Sequence, residues 1–330
     1  LNTPQWNTIS VSGYHMREAG CTATQEIAFT LSNGLEYLTQ AIKAGMDIDD
    51  VAPRMSFFFG CHNDFFEEVA KFRAARKLWH DLVMERYEPR NQKSTMLRFH
   101  TQTAGVTLTA QQPLNNAVRV SYQALSAVLG GTQSLHTNSY DEAIGLPTDK
   151  SALLALRTQQ ILANETNITK SVDPLAGSYL VEELTSKLYN KSKRLVEEIE
   201  ADGGAMKCVV SGYQQRHIHE AAWNQLKSVE DGTTSVIGVN KYSEEDTSTL
   251  MGQIQDQANA ESQSKMVQQI IQNREKSKAE KCILEIEKAA INGTNLMEPL
   301  IDAFKAEVTL GEVNEVLRQN FGTWVAPSGV

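Results

Sequence analysis

Along its first half the chain alternates short runs of β-branched and aromatic residues with polar clusters, followed by long segments whose apolar residues return every three or four positions. That alternation predicts parallel βα units, and four are legible. Residues 8–12 read as the first strand, and Thr22 or Thr24 caps a helix whose Ile27, Leu31, Leu35, Leu38 and Ile42 form one stripe before Gly45 stops it. Residues 54–59 form the second strand. Asp64, with Glu67 three positions on, opens a helix running towards Pro89. Residues 95–100 form the third strand, with a helix from about Pro113 to Gly130, and residues 131–137 form the fourth, with a helix after Pro147.

Strand starts recur about every 40 residues, the spacing of a βα barrel or of a doubly wound sheet. A GxGxxG phosphate loop, which would favour the second, does not occur. Four units are half of an eight-stranded barrel, and an open four-stranded sheet leaves unpaired backbone groups at its edges, so a further chain is expected to complete it. The chain also opens on Leu1, almost at once in strand-like sequence, which suggests sequence upstream. The expected fold is therefore α/β, of the (β/α)8 TIM-barrel kind. Residues 1–170 supply the last four βα units, and residues 171–330 form a helical annex and linker. Within that annex, residues 182–202 read as a charged amphipathic helix ending at Gly203 and Gly204, and residues 243–281 as a solvated helix or arm; a last helical pair follows around Leu300 and Val313.

Composition narrows the function classes. The chain has 330 residues, of which 41% are hydrophobic and 22% charged, an ordinary globular balance. Its net charge of −9 is spread along the chain without a basic block, which argues against nucleic acid as a partner. No apolar run approaches the ~20 residues needed to cross a bilayer, and residues 1–13 lack a secretory signal, so a cytoplasmic location is expected. Cys21, Cys61, Cys208 and Cys282 form no CxxC pair and read as buried thiols.

Candidate chemistry gathers after each strand: Tyr14 and His15; Cys61, His62 and Asn63; His100, Thr101 and Gln102; His136, Thr137 and Asn138, with Asp141 and Glu142 beyond. In a βα barrel these ends line one pocket mouth. Spacing alone leaves His15 as either a donor to a substrate carbonyl or a satisfied structural group, and His100, Gln102 and His136 as either ligand contacts or a closed polar network. His62 reads as a turn closer. Arg54, inside an apolar strand, needs an anion or a carboxylate at a strand end. Arg73, Arg76 and Lys77 read as a solvated helix face, and Phe57, Phe58 and Phe59 as core. His217 and His219 have HxH form but sit in charged helical sequence, and neither a metal-ligand set nor a GxSxG nucleophile is indicated.

At these positions the sequence resembles a known family. The segments SGYHMREAG at residues 12–20, APRMSFFFG at 52–60, RFHTQTAG at 98–105, GGTQSLHTNSYDEA at 130–143, DPLAGSYLVEELT at 173–185 and VIGVNKY at 236–242 are similar to large (alpha) subunits of the methylmalonyl-CoA mutase family. The resemblance implies the C-terminal half of a barrel threaded by the acyl-CoA, with adenosylcobalamin docked on its C-terminal face. The early strands and the DxHxxG cobalamin-ligating motif have no counterpart here, so an N-terminal half-barrel chain and a cobalamin-binding small subunit are implied partners within an oligomer, with a G-protein chaperone as a candidate further partner. Carried over residue by residue, His15 would meet the thioester carbonyl with Tyr14 beside the migrating group. Arg54, Ser56, Arg98, His100 and, more weakly, Gln133 would contact the acyl-CoA. Gln102 would approach the adenosyl group, and Asn138 and Glu142 its ribose. The implied reaction is a radical carbon-skeleton rearrangement of the methylmalonyl-CoA to succinyl-CoA type. The alternatives are an isobutyryl-CoA or 2-hydroxyisobutyryl-CoA mutase, or a non-catalytic structural subunit.

Overall fold

The computed structural model describes residue 7, residues 9–244 and residues 257–325. By compactness these divide into one unit reaching residue 244 and a second over residues 257–325.

The first unit is built on a four-stranded parallel sheet in the order β1-β2-β3-β4, formed by Ser10–Ser12, Ser56–Cys61, Phe99–Thr103 and Ser134–His136. The connections carry α1 (Tyr14–Glu18), α2 (Ala23–Lys43) and α3 (Ile48–Val51) after β1, α4 (Phe65–Tyr87) after β2, α5 (Asn115–Leu129) after β3, and α6 (Asp149–Glu165) after β4. This is the expected α/β alternation. Thr22 caps α2 with a full capping box to Gln25, Asp64 accepts from the Glu67 amide at the start of α4, and Thr148 accepts from the Ser151 amide at the start of α6.

All four strands differ in their bounds from the sequence expectation, the fourth because Gly131 to Gln133 form the turn out of the preceding helix and β4 is confined to Ser134–His136. Position 8 lies outside the described residues, and β1 is confined to Ser10–Ser12. Arg54 closes a 3-10 turn, Ala52–Arg54, so β2 starts at Ser56 and Arg54 is not inside a strand. Residues 95–98 are not strand: a 3-10 turn covers Gln92–Thr95, and β3 begins at Phe99. Thr95, the β-branched residue at the expected start, is occupied differently, because its hydroxyl donates to the Gln92 carbonyl and closes a turn.

Strand alternation then separates two chemistries. Val11, Phe57, Phe59, Cys61 and Phe99 are buried beneath the helices. Phe57 meets Trp79 edge-on at 4.8 Å, and Phe59 meets Phe99 at 5.6 Å. Ile27, Leu31, Leu35 and Leu38 of α2 and Leu78 and Leu82 of α4 complete this core. The opposite face carries Ser10, Ser12, Ser56, Phe58, His100, Gln102, Ser134 and His136, all partly or fully exposed. Phe58, expected in the core with its neighbours, lies on this polar face because adjacent strand residues point to opposite sides.

The helices α7 (Tyr179–Ala201), α8 (Ala205–Val210) and α9 (Tyr213–Glu230) also belong to the first unit. Leu188 and Val196 of α7 enter the core against α2 and α4. This packing corrects the reading of Arg73 and Arg76 as a solvated face. Arg73 pairs with Asp173 at 3.2 Å and with Glu182 at 2.8 Å, and Arg76 donates to the Gly130 carbonyl at 2.6 Å. Lys77 does remain on the surface, paired with Asp81.

The second unit comprises α10 (Gln257–Asn273), α11 (Lys276–Asn292), α12 (Met297–Lys305) and α13 (Leu310–Phe321). Of the solvated stretch expected over 243–281, residues 245–256 lie outside the described residues, and α10 is largely exposed. Ile286, Ala303, Val308 and Val313 form the unit's small core. Thr309 caps α13 in a capping box with Glu312, whose carboxylate also binds Arg274. Hydrogen bonding from Arg274 brings the Glu312 carboxyl from 4.5 down to about 2. A depressed carboxyl stabilises the fold above its unfolded value and loses that contribution as pH falls through its folded one. Glu312→Gln should therefore speed hydrogen exchange of the α13 amides at neutral pH, and the difference from the parent should fade between pH 4.5 and about 2. Equal exchange at neutral pH would remove the role of this pair.

Candidate functional site

The polar face of the sheet is a graded surface. At the N-terminal end of the strands the Ser10 and Ser56 hydroxyls share a hydrogen bond at 2.7 Å, and Asn7 donates to Ser56 at 2.8 Å. Arg54 and Arg98, each just before its strand, stand at this same end, half-buried and exposed respectively. Mid-strand, His100 Nδ1 and the Ser134 hydroxyl are 2.7 Å apart, across the in-register pair of β3 and β4. His100 also lies 5.0 Å from the Phe58 ring. It is therefore a mid-strand residue and not a strand-end one.

At the C-terminal end the chain leaves β1 through Gly13 and enters α1, which begins with Tyr14 and His15. The Tyr14 ring stacks on Phe58 at 4.8 Å and 2°. Burial pushes its phenol up, the carboxyls of Glu18 and Glu142 push the same way, and the Asn138 amide pulls partly back, so Tyr14 stays protonated at neutral pH. His15 Nδ1 lies 3.2 Å from the Ser12 hydroxyl. Burial lowers its pKa below 6.5, so the ring is neutral at pH 7.

Facing α1 across this end are Gln102 of β3 and the residues after β4. Gln102 donates to Asn138 Oδ1 at 3.0 Å, and the Asn138 backbone amide donates to Thr103 at 2.9 Å. Asn138 is 2% exposed, and its buried amide nitrogen acts on the Tyr14 phenol. Burial raises Glu142 against the pull of His136. Burial also raises Glu18, whose carboxylate accepts from the Val106 amide at 3.0 Å and leaves Oε1 buried without a partner. Gly105 is the floor between them: a Cβ there would come within 2.9 Å of the Asn138 amide nitrogen and 3.3 Å of Glu18 Oε2. A side chain at this position would fill the space these polar groups share.

The sequence-derived candidates thus form two groups. Tyr14, His15, Gln102, Asn138 and Glu142 converge on the C-terminal end, while Arg54, Ser56 and Arg98 mark the N-terminal end, with His100 between. Gln133 stands apart, because both ends of its amide are occupied by backbone: it accepts from the Phe99 amide at 2.6 Å and donates to the Gly131 carbonyl at 3.0 Å. That engagement bridges the starts of β3 and β4. His217 packs on Tyr213 in α9, and among the described residues no cluster of three or more His, Cys, Asp or Glu side chains has metal-binding form.

The comparisons with known proteins agree along nearly the whole chain. The family described as methylmalonyl-CoA mutase matches residues 1–323. The chain belongs to the methylmalonyl-CoA mutase family. It is 46% identical over 98% of its length to a methylmalonyl-CoA mutase of Rhizobium meliloti, covering 46% of that relative. It is 45% identical to the Cereibacter sphaeroides protein of the same name, over 97% of this chain and 45% of the relative. Against the human mitochondrial methylmalonyl-CoA mutase it is 43% identical, over 97% of this chain and 43% of the relative. The chain therefore spans a little under half the length of the curated relatives it matches.

Two features of this family member escaped the sequence reading. Glu18 completes the acidic side of the C-terminal cluster, and its signal was only its place one helical turn after Tyr14. The second is a buried ion network beneath α1, formed by Arg17, Glu26, Glu68 and Lys71, of which the last three are fully buried. Its signal was available: Glu68 and Lys71 share a helical stripe with Ala75, Leu78 and Leu82, where charge interrupts an apolar face. No helix among the described residues is long and apolar enough to cross a membrane.

Proposed function

We propose that the chain forms the last four βα units of an acyl-CoA-binding barrel in an adenosylcobalamin-dependent mutase, an isomerase that interconverts methylmalonyl-CoA and succinyl-CoA. The observation that carries this reading is the polar face of the sheet. An ordinary βα barrel fills its interior with branched apolar side chains. Here that face is lined mostly by serine, histidine and glutamine, which leaves a hydrophilic lane between Arg54 and Arg98 at one end and the Tyr14 cluster at the other. A pantetheine arm, narrow and studded with amides, suits such a lane, and guanidinium groups suit the phosphates at its far end.

The C-terminal cluster suits the adenosyl part of the cofactor. The buried Asn138 amide and the Glu142 carboxyl match the donor and acceptor needs of vicinal sugar hydroxyls, and Gln102 orients Asn138. When bound, adenosylcobalamin supplies the radical that makes the rearrangement possible. The chain's own work is to bind, orient and exclude water. A neutral His15, held at Nδ1 by Ser12, offers its Nε2 proton to the thioester carbonyl and stabilises charge shifting onto that oxygen. Tyr14, fixed flat on Phe58, walls the substrate off from solvent and from competing hydrogen donors. Among the described residues β1 and β4 are each paired on one side, which calls for an N-terminal half-barrel, as the cobalt does for a cobalamin-binding partner, and a G-protein chaperone is a further candidate associate.

The test is to purify the chain with everything that travels with it, add adenosylcobalamin and methylmalonyl-CoA, and follow succinyl-CoA. Turnover in a complex containing both completing parts is the expected result. A complete complex that binds the thioester and yields no rearranged product would overturn the assignment.

A further inference from the structure

The ion network beneath α1 lies where the sheet is incomplete. In β2, Ser56, Phe58 and Gly60 turn their backbone groups towards β1: the Ser56 amide meets the Ile9 carbonyl, and the Phe58 carbonyl accepts from Gly13 at 2.8 Å. Gly60 has no such strand partner, because β1 ends at Ser12 and the chain turns up into α1. Side chains take over the ladder. The Gly60 amide donates to Glu26 Oε1 at 2.6 Å, and Lys71 donates to the Gly60 carbonyl at 2.8 Å. Lys71 spends its remaining donors on Glu26, at 2.6 Å, and on Glu68.

Arg17 ties α1 to this frame. Its guanidinium donates to Glu68 at 3.2 Å and to the Cys21 carbonyl, and it stands 3.8 Å from Glu26. Its stem lies directly on the strand: a Cβ at Gly60 would come within 3.1 Å of Arg17 Cγ. Helix α1 has five residues and no side-chain N-cap, too little to hold its own place. Buried ion pairs are seldom the most stable filling for a core, but unlike apolar contacts they are directional.

We propose that Arg17, Glu26, Glu68 and Lys71 are positioning residues, which fix the height and rotation of α1 over the end of β2 and so place Tyr14 and His15 against the substrate. The inference deepens the mutase reading and rests on it. A misplacement of about 1 Å in such a group costs up to about a hundredfold in rate.

The test uses the complete complex and compares Arg17→Met with Arg73→Met. The second cuts a partly buried ion pair of the same unit, between α4 and α7, without touching α1. Arg17→Met is expected to lower kcat at least about tenfold with KM for the acyl-CoA within about twofold, and to speed hydrogen exchange of the α1 amides. Arg73→Met should do neither, and Arg17→Lys should recover part of the loss. If Arg17→Met does not accumulate as folded protein, Arg17→Lys carries the comparison, with a smaller drop in kcat expected. Unchanged kcat and unchanged α1 exchange would overturn the inference, as would equal losses in both variants in proportion to their melting temperatures. An inactive parent complex in which Arg17→Met still loosens α1 selectively would count against the mutase reading and leave the placement of Tyr14 and His15 supported.

Discussion

Replacing Lys71 with Met is expected to remove about 3–5 kcal/mol of stability, the cost of leaving a buried charge uncompensated. The ammonium group is fully buried and meets Glu26, Glu68 and the Gly60 carbonyl. Burial alone would favour its neutral form, but the two carboxylates outweigh that and hold it charged. Burial likewise pushes Glu68 up, and Lys71 and Arg17 bring it down to about 2. Methionine fills nearly the same volume, so the loss is electrostatic and not a cavity. For a unit of this size the change corresponds to roughly 10 °C in melting temperature, enough to reduce soluble yield. Adding Glu68→Gln should restore part of it, because Arg17 then remains to balance Glu26. A Lys71→Met protein that melts with the parent would show the network to be energetically idle.

His15→Ala should lower the rearrangement rate about a hundredfold through kcat while leaving KM nearly unchanged, the pattern of a hydrogen bond that strengthens as charge reaches the carbonyl oxygen. Because burial holds the ring neutral above pH 6.5, no step in rate from His15 is expected between about pH 7 and 8. His15→Gln retains a donor and should lose less. Full activity in the alanine variant would withdraw the role and leave His15 as a partner of Ser12 alone.

The parallel units were legible because each rests on local signals. Thr22 and Asp64 cap helices wherever the chain goes next, and the apolar stripe from Ile27 to Leu38 needs no knowledge of what it packs against. Strand starts were less legible. The residues before Ser56 and Phe99 have strand-like composition, and the 3-10 turns that take them are closed by contacts the pattern does not carry. Of the site, the strand pattern marked the polar clusters at or after the strand ends, which converge in any parallel βα arrangement, and the family resemblance singled out Tyr14, His15, Gln102, Asn138 and Glu142 among them.

Residue type and period thus determined the succession of strands and helices and the polar clusters after each strand, since propensity, capping and amphipathicity act within a few residues. Tertiary structure alone decided which charges are buried. Arg73 and Arg76 left the solvent because α7 and the end of α5 cover them, and Lys71 entered the core because β1 ends two residues before Tyr14 and leaves the backbone of Gly60 to be satisfied from the side. A charge tolerates burial only where its partners converge in space, and convergence over 45 residues of chain, as between Glu26 and Lys71, is not written in any local pattern.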